Sequence, residues 1–226
     1  MFWSVAKFLQ NEMPKPQVQQ GSPMRICKHE QGTPGWIESR LGCPSASMFS
    51  KLCTSKGVWS TQADSYINQL VAEELTGEQT PFYQNDHMLR GTELEPEARD
   101  LYCVLQDVEV EEVGFCLHET IAAGCSPDGL VGGSGGELGG LEIKCPAGAT
   151  HVGYLRDGIL PSKYKQQVMG CLWVTERDWW DFFSYHPGMK PLIVRVERDE
   201  EYIAKLEECV SRAVNLINDN VIKFWD

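Results

Sequence analysis

Ser126-Pro127-Asp128-Gly129 and Leu141-Glu142-Ile143-Lys144 are the two segments that most strongly indicate the fold of this chain. A glycine-rich loop joins them. Residues 141–144 alternate apolar and polar side chains, which is the period of a β-strand. Successive side chains on a strand point to opposite faces, so Glu142 and Lys144 project side by side while the two apolar residues face the core. The sequence therefore predicts a strand with a carboxylate and an ammonium group on one face.

Asp128 lies in a turn-forming group that follows a strand-like segment, residues 121–125. The glycine-rich connection suits a hairpin that would bring Asp128 next to Glu142. Two carboxylates from neighbouring strands are suitable ligands for Mg²⁺, with Mn²⁺ as a substitute, and the backbone carbonyl of Ile143 would add a ligand. Such a cation orients and acidifies a water for attack on phosphorus. The alternative interpretation is a surface ion pair between Glu142 and Lys144, which is common for an isolated E-x-K.

Apolar periodicity elsewhere in the chain predicts helices flanking a central run of strands. The expected fold class is therefore α/β or α+β with a mixed β-sheet. Gly77 suits the end of the first helix, and Pro96 fits the second only in its first turn. The predicted helices cover about 61–76, 93–106, 162–173 and 200–224, and the predicted strands cover 113–118, 121–125, 141–146, 179–185 and 192–197.

The bulk properties of the chain indicate a globular protein. Its 226 residues suit one domain, residues 25–226, preceded by a tail. Residues 1–24 are a tail, a docking segment or residues added ahead of a natural start at Met24. With 42% hydrophobic and 23% charged residues, the composition excludes general disorder. No apolar run reaches the roughly 18 residues that span a bilayer, so we expect no membrane association.

Cysteine content and net charge constrain the environment and the partners. The nine cysteines include no C-x-x-C pair, which favours reduced, mostly buried thiols in a cytoplasmic protein. The aromatic run over residues 179–185 is interpreted as core packing rather than a base-stacking surface. The formal charge of -12 is unfavourable for binding anionic DNA. We therefore expect any DNA-binding surface to be confined to a cleft or to the inside of a ring.

Five separate stretches lie in order along residues 34–200. They are Trp36-Ile37-Glu38-Ser39-Arg40-Leu41-Gly42 with Ser45-Ala46-Ser47, Gly91-Thr92-Glu93-Leu94-Glu95, Cys125-Ser126-Pro127-Asp128-Gly129-Leu130, Leu141-Glu142-Ile143-Lys144-Cys145-Pro146, and Tyr164-Lys165-Gln166-Gln167-Val168 with Leu172-Trp173-Val174-Thr175. Together they resemble the bacteriophage lambda exonuclease and YqaJ-like viral recombinase family of the PD-(D/E)xK nuclease superfamily. The order and spacing make the resemblance specific, although each stretch alone is weak.

The resemblance implies a restriction-endonuclease-like core and an Mg²⁺-dependent alkaline exonuclease. Members of the family digest the 5′-ended strand of linear double-stranded DNA processively, in the 5′→3′ direction, and leave 3′ single strands. The implied partners are double-stranded DNA ends, a single-strand annealing recombinase and two further copies of the chain in a homotrimer ring. The implied setting is the cytoplasm of a bacterial host, with the gene carried by a phage or prophage.

The resemblance also assigns the catalytic residues. Asp128 and Glu142 would be metal ligands, and Lys144 would be the catalytic lysine. Glu95, from the helix before the strands, would complete the carboxylate set as a further ligand. Gln167, from the helix after E-x-K, would reach the site. Without the resemblance, a helical glutamate or glutamine is more often a solvated surface residue.

Two further groups follow from the same resemblance. Arg40, Ser47 and Ser126 would form a pocket for the 5′-phosphate, because a guanidinium and hydroxyl groups are phosphate donors. Met88 and Leu89 would be the apolar wedge that opens the duplex. On residue type alone, Arg40 would be a surface arginine, Ser47 a helix cap or packing residue, and the wedge pair buried core residues.

Two alternative functions remain open at this level. The chain could be another PD-(D/E)xK DNA endonuclease, although a form with an iron–sulfur cluster would need clustered cysteines, which the sequence lacks. It could also be a catalytically inactive scaffold protein for recombination. The intact set of Asp128, Glu142 and Lys144 argues against the scaffold.

Overall fold

Strands form two separate sheets in the computed structural model, which describes residues 24–81, 86–132 and 136–225, without the side chains of residues 86–88. The predicted tail lies outside the described residues apart from Met24, so that prediction stays open. In the described residues the strands are β1 (Met24–Ile26), β2 (Val110–Glu111), β3 (Cys116–His118), β4 (Gly124–Cys125), β5 (Gly129–Gly132), β6 (Leu138–Lys144), β7 (Trp179–Ser184) and β8 (Leu192–Glu197).

The larger sheet carries the E-x-K strand at its centre. Its five strands run in the order β2-β5-β6-β7-β8, and the smaller sheet has the order β1-β3-β4. Strands β6 and β7 are parallel, whereas the other neighbours in both sheets are antiparallel. The mixed sheet flanked by helices confirms the predicted α+β fold class.

Helices cover both faces of the larger sheet. The helix Ala63–Thr76 is capped at its C-terminus by Gly77, as predicted, and the φ of Gly77, 69°, is in the left-handed region that glycine adopts readily. None of the described helices combines the length and apolar character needed to cross a membrane. The helices are α1 (Pro34–Arg40), α2 (Ala63–Thr76), α3 (Asp86–Gln106), α4 (Gly148–Asp157), α5 (Lys165–Thr175) and α6 (Glu200–Trp225), with 3-10 turns at Ala46–Lys51 and Ser162–Tyr164.

The predicted first residue of helix α3, about Glu93, was wrong. The helix begins at Asp86, so Pro96 lies in its interior rather than in its first turn. The N-terminal extension is held by Arg90, whose Nη1 donates to the carbonyls of Cys145 at 3.2 Å and Pro146 at 3.1 Å. This tertiary contact anchors the helix to the end of β6, and periodicity within one segment does not reveal it.

The hairpin that contains the E-x-K strand also differs from the expected one. The strand before Asp128 shrinks to β4 and pairs with β3 in the smaller sheet. The partner of β6 is instead β5, which directly follows Asp128. A glycine is required at Gly129, because an added Cβ would lie 2.1 Å from Cγ1 of Val110. Glycine-rich segments have weak strand propensity, which explains why this strand was not predicted.

The two faces of β6 have different surroundings. Leu141 and Ile143 belong to a buried cluster that contains side chains of α3 and Phe183. Glu142 pairs in register with Phe182 of β7, on the opposite face. The aromatic run of β7 is buried, which confirms the predicted core packing. The strand therefore separates core residues from site residues by simple alternation.

Candidate active site

Glu142 and Lys144 lie side by side on β6 and form an ion pair. The Glu142 side chain is 1% exposed, whereas that of Lys144 is 28% exposed. Gln167 of α5 donates from Nε2 to Oε1 of Glu142 at 2.6 Å. Two donors thus converge on one carboxylate oxygen. The other oxygen, Oε2, is buried and lacks a hydrogen-bond partner among the described residues.

Asp128 occupies the turn between β4 and β5 and reaches the backbone of β6. Its Oδ2 accepts a 2.6 Å hydrogen bond from the N–H of Ile143, the residue between the glutamate and the lysine. The turn therefore brings the Asp128 carboxylate to the E-x-K strand. The predicted neighbours are brought together, although through a different strand from the one expected.

Glu95 approaches this group from α3 and is bound by an arginine one turn later. Arg99 donates from Nη2 to Oε1 of Glu95 at 2.6 Å and from Nε to the backbone carbonyl of Asp128 at 3.1 Å. Its Nη1 pairs with Glu112 at 2.9 Å. No role was predicted for Arg99, because nothing in its local sequence distinguishes it from a helix-surface arginine.

Burial dominates the protonation of the carboxyl groups. Burial raises the pKa of Glu142 to about 7, although the positive charge of Lys144 acts to lower it. Repulsion from Asp128 adds to the rise. Burial and Asp128 likewise raise the pKa of Glu95 to about 7. The pKa of Asp128 is also raised by burial. For Lys144, burial lowers the pKa, but Glu142 and Asp128 more than offset this and the net direction is upward.

The donor set fits a hard divalent cation in its chemistry. Among the described residues, no group of three His, Cys, Asp or Glu side chains is close enough to hold a metal ion. The Asp128 carboxylate instead binds the main chain at Ile143, next to Glu142, and Oε2 of Glu142 is an unpaired buried acceptor among the described residues. A buried anionic oxygen without a donor is costly unless a cation binds it. Oxygen ligands of this kind suit Mg²⁺, so the residues fit the predicted group.

A neighbouring cavity of about 190 Å³ collects the three predicted phosphate ligands, Arg40, Ser47 and Ser126. Gln167 lines this cavity as well as contacting Glu142. The predicted phosphate pocket and the carboxylate–lysine group are therefore adjacent. The remaining residues that line the cavity are Gln31, Trp36, Ser45, Ala46 and Cys171.

Trp36 organises the cavity and was not assigned a role from sequence. Its Nε1 donates to Oγ of Ser126 at 3.2 Å, and the Arg40 guanidinium lies 4.4 Å from the centroid of its ring. Arg40 also donates from Nη2 to Oγ of Ser45 at 3.3 Å. Arg40 is thus fixed by stacking and by a hydroxyl group, unlike a freely solvated surface arginine.

A larger cleft of about 1160 Å³ extends from this region and includes Glu95 and Asp128. The side chains that line this cleft are acidic more often than basic. The lining carries one lysine and two arginines, Lys28, Arg40 and Arg99, and six acidic residues, Glu30, Glu73, Glu95, Glu111, Glu112 and Asp128.

The predicted wedge is described only in part. Leu89 lies in α3 and is 45% exposed, so it is available to contact a ligand. The side chain of Met88 lies outside the described residues. The wedge therefore stays a prediction for both residues.

Comparison with known proteins assigns the family. Residues 35–178 match the model of the YqaJ-like viral recombinase domain. The chain belongs to this family. The match confirms the resemblance inferred from sequence, and residues 35–178 include all the predicted ligands of metal and phosphate.

Solved structures agree with this assignment. LHK-Exo, an alkaline exonuclease from Laribacter hongkongensis, is 34% identical, with a TM-score of 0.76, and the match covers 85% of this chain and 96% of that chain. A structure of LHK-Exo in complex with dAMP matches equally well. A phage-related exonuclease from Haemophilus somnus shares the fold at 16% identity, with a TM-score of 0.63 and coverage of 80% and 96%. No curated protein sequence matches this YqaJ-like chain.

Proposed function

We propose that this YqaJ-like chain is an Mg²⁺-dependent exonuclease that digests the 5′-ended strand of linear double-stranded DNA processively, in the 5′→3′ direction. The observation that carries the proposal is the position of Gln167, which lines the Arg40 cavity and also binds Glu142. A terminal phosphate in the cavity would place the next phosphodiester beside the carboxylates and Lys144. The alkaline exonuclease activity of LHK-Exo, a relative at 34% identity, supports the reaction class.

Asp128 and Glu142 would hold the cation, with the carbonyl of Ile143 as a further ligand and Glu95 as an additional carboxylate. When bound, Mg²⁺ or Mn²⁺ supplies Lewis-acid polarisation of the phosphoryl group and acidifies water. The unpaired Oε2 of Glu142 is the clearest support for this assignment, because no donor of the described protein satisfies it. Gln167 and Lys144 both bind Oε1 and thereby orient the carboxylate.

The chain's own residues then act on a phosphodiester held at this site. Water attacks phosphorus, the bond from phosphorus to the 3′ oxygen of the terminal nucleotide breaks, and that nucleotide leaves as a 5′-mononucleotide. Lys144 is placed to donate hydrogen bonds to the attacking water or to the phosphoryl oxygens, where negative charge increases in the transition state. The shortened strand retains a 5′-phosphate, so the product end is chemically equivalent to the substrate end.

Arg40, Ser47 and Ser126 would bind the 5′-terminal phosphate. Arginine presents a planar set of donors that matches phosphate oxygens, and the hydroxyl groups add further donors. Capture of a 5′-phosphate gives direction, because a 3′ end carries a hydroxyl there. It also gives processivity, because each cut creates a new end that fits the same pocket.

The proposed assembly and partners follow the family. Residues 25–226 would form a single nuclease domain, three copies would form a ring around DNA, and the 3′ strand would pass to a single-strand annealing recombinase. The proposed setting is the cytoplasm of a bacterial host, with the gene carried by a phage or prophage. Met88 and Leu89 would separate the strands ahead of the site.

The test is digestion of end-labelled duplexes with Mg²⁺ or with a chelator. Linear DNA with a 5′-phosphate should be degraded to mononucleotides, a 5′-hydroxyl end should react more slowly, and closed circular DNA should stay intact. Cutting of the closed circle would instead favour an endonuclease. Absence of any Mg²⁺-dependent release of nucleotides would favour an inactive scaffold. Equal rates for the two 5′ ends would contradict the phosphate pocket.

A further inference from the structure

Arg99 binds three separate segments of the chain with three different nitrogen atoms. Nη2 donates to Glu95 on its own helix, Nε donates to the backbone carbonyl of Asp128, and Nη1 pairs with Glu112, on the segment between β2 and β3. The arginine side chain is 12% exposed. A single guanidinium therefore joins the helix that carries one site carboxylate to the turn that carries another.

The turn at Asp128 needs such a support because it connects two different sheets. Strand β4 before it belongs to the smaller sheet, and β5 after it belongs to the larger one. The side chain of Asp128 is fixed by the N–H of Ile143, and its backbone is fixed by Arg99. These two hydrogen bonds fix both the carboxylate and the backbone carbonyl of Asp128.

We propose that Arg99 is a positioning residue that holds Asp128 and Glu95 at the separation required by the divalent cation. The inference rests on the proposed function, because it assigns a role toward the cation of that site. Arg99 touches neither substrate nor reacting atoms in this role. It acts through the two carboxylate residues that it binds.

The geometry calls for an arginine rather than any cation. Three donors leave one planar group in fixed directions, whereas a lysine ammonium is a compact charge on a flexible stem. A merely structural ion pair between Arg99 and Glu95 would tolerate lysine, because an i,i+4 pair needs only opposite charges. A lysine has one nitrogen in place of the three that reach Glu95, the Asp128 carbonyl and Glu112, so it cannot keep all three contacts in these directions.

The chain offers a matched control in Arg198. This arginine also binds a carboxylate, that of Glu200, and two backbone carbonyls, those of Leu172 at 2.7 Å and Arg177 at 3.3 Å. It supports the C-terminal end of α5 and has no contact with the site carboxylates among the bonds described. The same substitution at the two positions therefore separates support of the fold from support of the site.

The experiment compares Arg99→Lys with Arg198→Lys in the full chain. Mn²⁺ affinity is measured by calorimetry without DNA, kcat and KM are measured on a 5′-phosphorylated duplex, and thermal unfolding is measured in parallel. Arg99→Lys should weaken Mn²⁺ binding and lower kcat by about 10- to 100-fold, with little change in KM. Arg198→Lys should lower the unfolding temperature and leave Mn²⁺ affinity and kcat unchanged.

The outcomes distinguish this inference from the proposed function. Wild-type Mn²⁺ affinity and kcat in Arg99→Lys would overturn the positioning role, even if the unfolding temperature fell. If the wild type released no nucleotides, the proposed function would fail, and the Mn²⁺ affinities would still decide whether Arg99 organises a cation site. If Arg99→Lys did not fold, Arg99→Gln, which keeps one amide donor, would be measured in the same way with the same expected losses.

Discussion

Gln167 donates a 2.6 Å hydrogen bond from Nε2 to Oε1 of Glu142, and the ammonium group of Lys144 reaches the same oxygen. The second oxygen of Glu142 stays buried and unpaired among the described residues. The two donors therefore fix the plane of the carboxylate and leave one oxygen for a cation. Because Gln167 also lines the Arg40 cavity, it is the side chain common to both parts of the site.

Substitution of Gln167 should affect both the Glu142 carboxylate and the Arg40 cavity. We expect Gln167→Ala to lower kcat by about 10- to 100-fold, because the orientation of Glu142 is lost, and to reduce the preference for 5′-phosphate over 5′-hydroxyl ends. Both follow from initial rates on the two labelled duplexes. A loss of kcat with an unchanged preference between the ends would show that Gln167 serves only the carboxylate.

Glu142→Gln should abolish hydrolysis while leaving the fold intact. The amide has the shape of the carboxylate but no charge for the cation, so nucleotide release should fall to the background and Mn²⁺ binding should be lost. Circular dichroism and thermal unfolding would verify folding. Residual activity near the wild-type level would contradict the role of Glu142 as a ligand.

Stability without metal should depend on pH in a defined direction. The folded pKa of Glu95 and of Glu142 is raised to about 7, above the value of 4.5 for an unperturbed glutamate. The folded state therefore binds protons more tightly, so the free energy of unfolding should fall as pH rises through the interval between about 4.5 and 7.

Urea unfolding at a series of pH values, with chelator and with Mg²⁺, measures this effect. Saturating Mg²⁺ should reverse the loss above neutral pH, because the ionised carboxylates bind the cation and the folded state is stabilised by mass action. A pH-independent unfolding free energy in chelator would contradict the raised pKa values of Glu95 and Glu142.

Trp36→Phe should weaken capture of the 5′-phosphate. Phenylalanine preserves an aromatic ring under Arg40 but loses the hydrogen bond from Nε1 to Ser126. One lost hydrogen bond costs about 1 kcal/mol, so KM for a 5′-phosphorylated end should rise about fivefold with little change in kcat. The 5′-hydroxyl duplex is the control, and an equal rise in its KM would show that Trp36 does not act through the phosphate pocket.

Binding of DNA should depend strongly on a divalent cation. The cleft contains more carboxylates than basic side chains, so without a cation it repels a phosphate backbone. Fluorescence anisotropy should show weaker binding of a duplex end in chelator than in Ca²⁺, which occupies oxygen sites. Equal affinity in the two conditions would point to a basic surface elsewhere on the chain.

Periodic segments of the fold were predictable from sequence, and contacts between distant residues were not. The alternation at residues 141–144, the buried aromatic strand and the long C-terminal helix each carry a local signal, and each was predicted correctly. Short elements such as α1 and α4 contain too few turns for a periodic pattern to stand out. Strand β5 was missed because its two glycines have weak strand propensity, and the need for a glycine at Gly129 arises from close packing against Val110, a residue distant in sequence.

The candidate site likewise contains features that could be predicted from the sequence and contacts that could not. The neighbouring positions of Glu142 and Lys144 follow from strand geometry, and the resemblance supplied Glu95, Gln167 and the phosphate ligands. The contacts of Arg99 with Asp128 and of Trp36 with Ser126 join residues far apart in sequence. No local pattern encodes such pairs, so their importance emerges only from the folded chain.

Alternation along β6 has a genetic consequence. Substitutions at Leu141 or Ile143 disturb the buried cluster and should reduce the amount of folded protein in a cell. Substitutions at Glu142 or Lys144 leave that cluster untouched and should yield an abundant but inert product. Harmful changes at adjacent codons would therefore differ in effect, because one reduces the amount of protein and the next reduces only its activity. A screen that measures only protein abundance would detect the changes at Leu141 and Ile143 and miss those at Glu142 and Lys144.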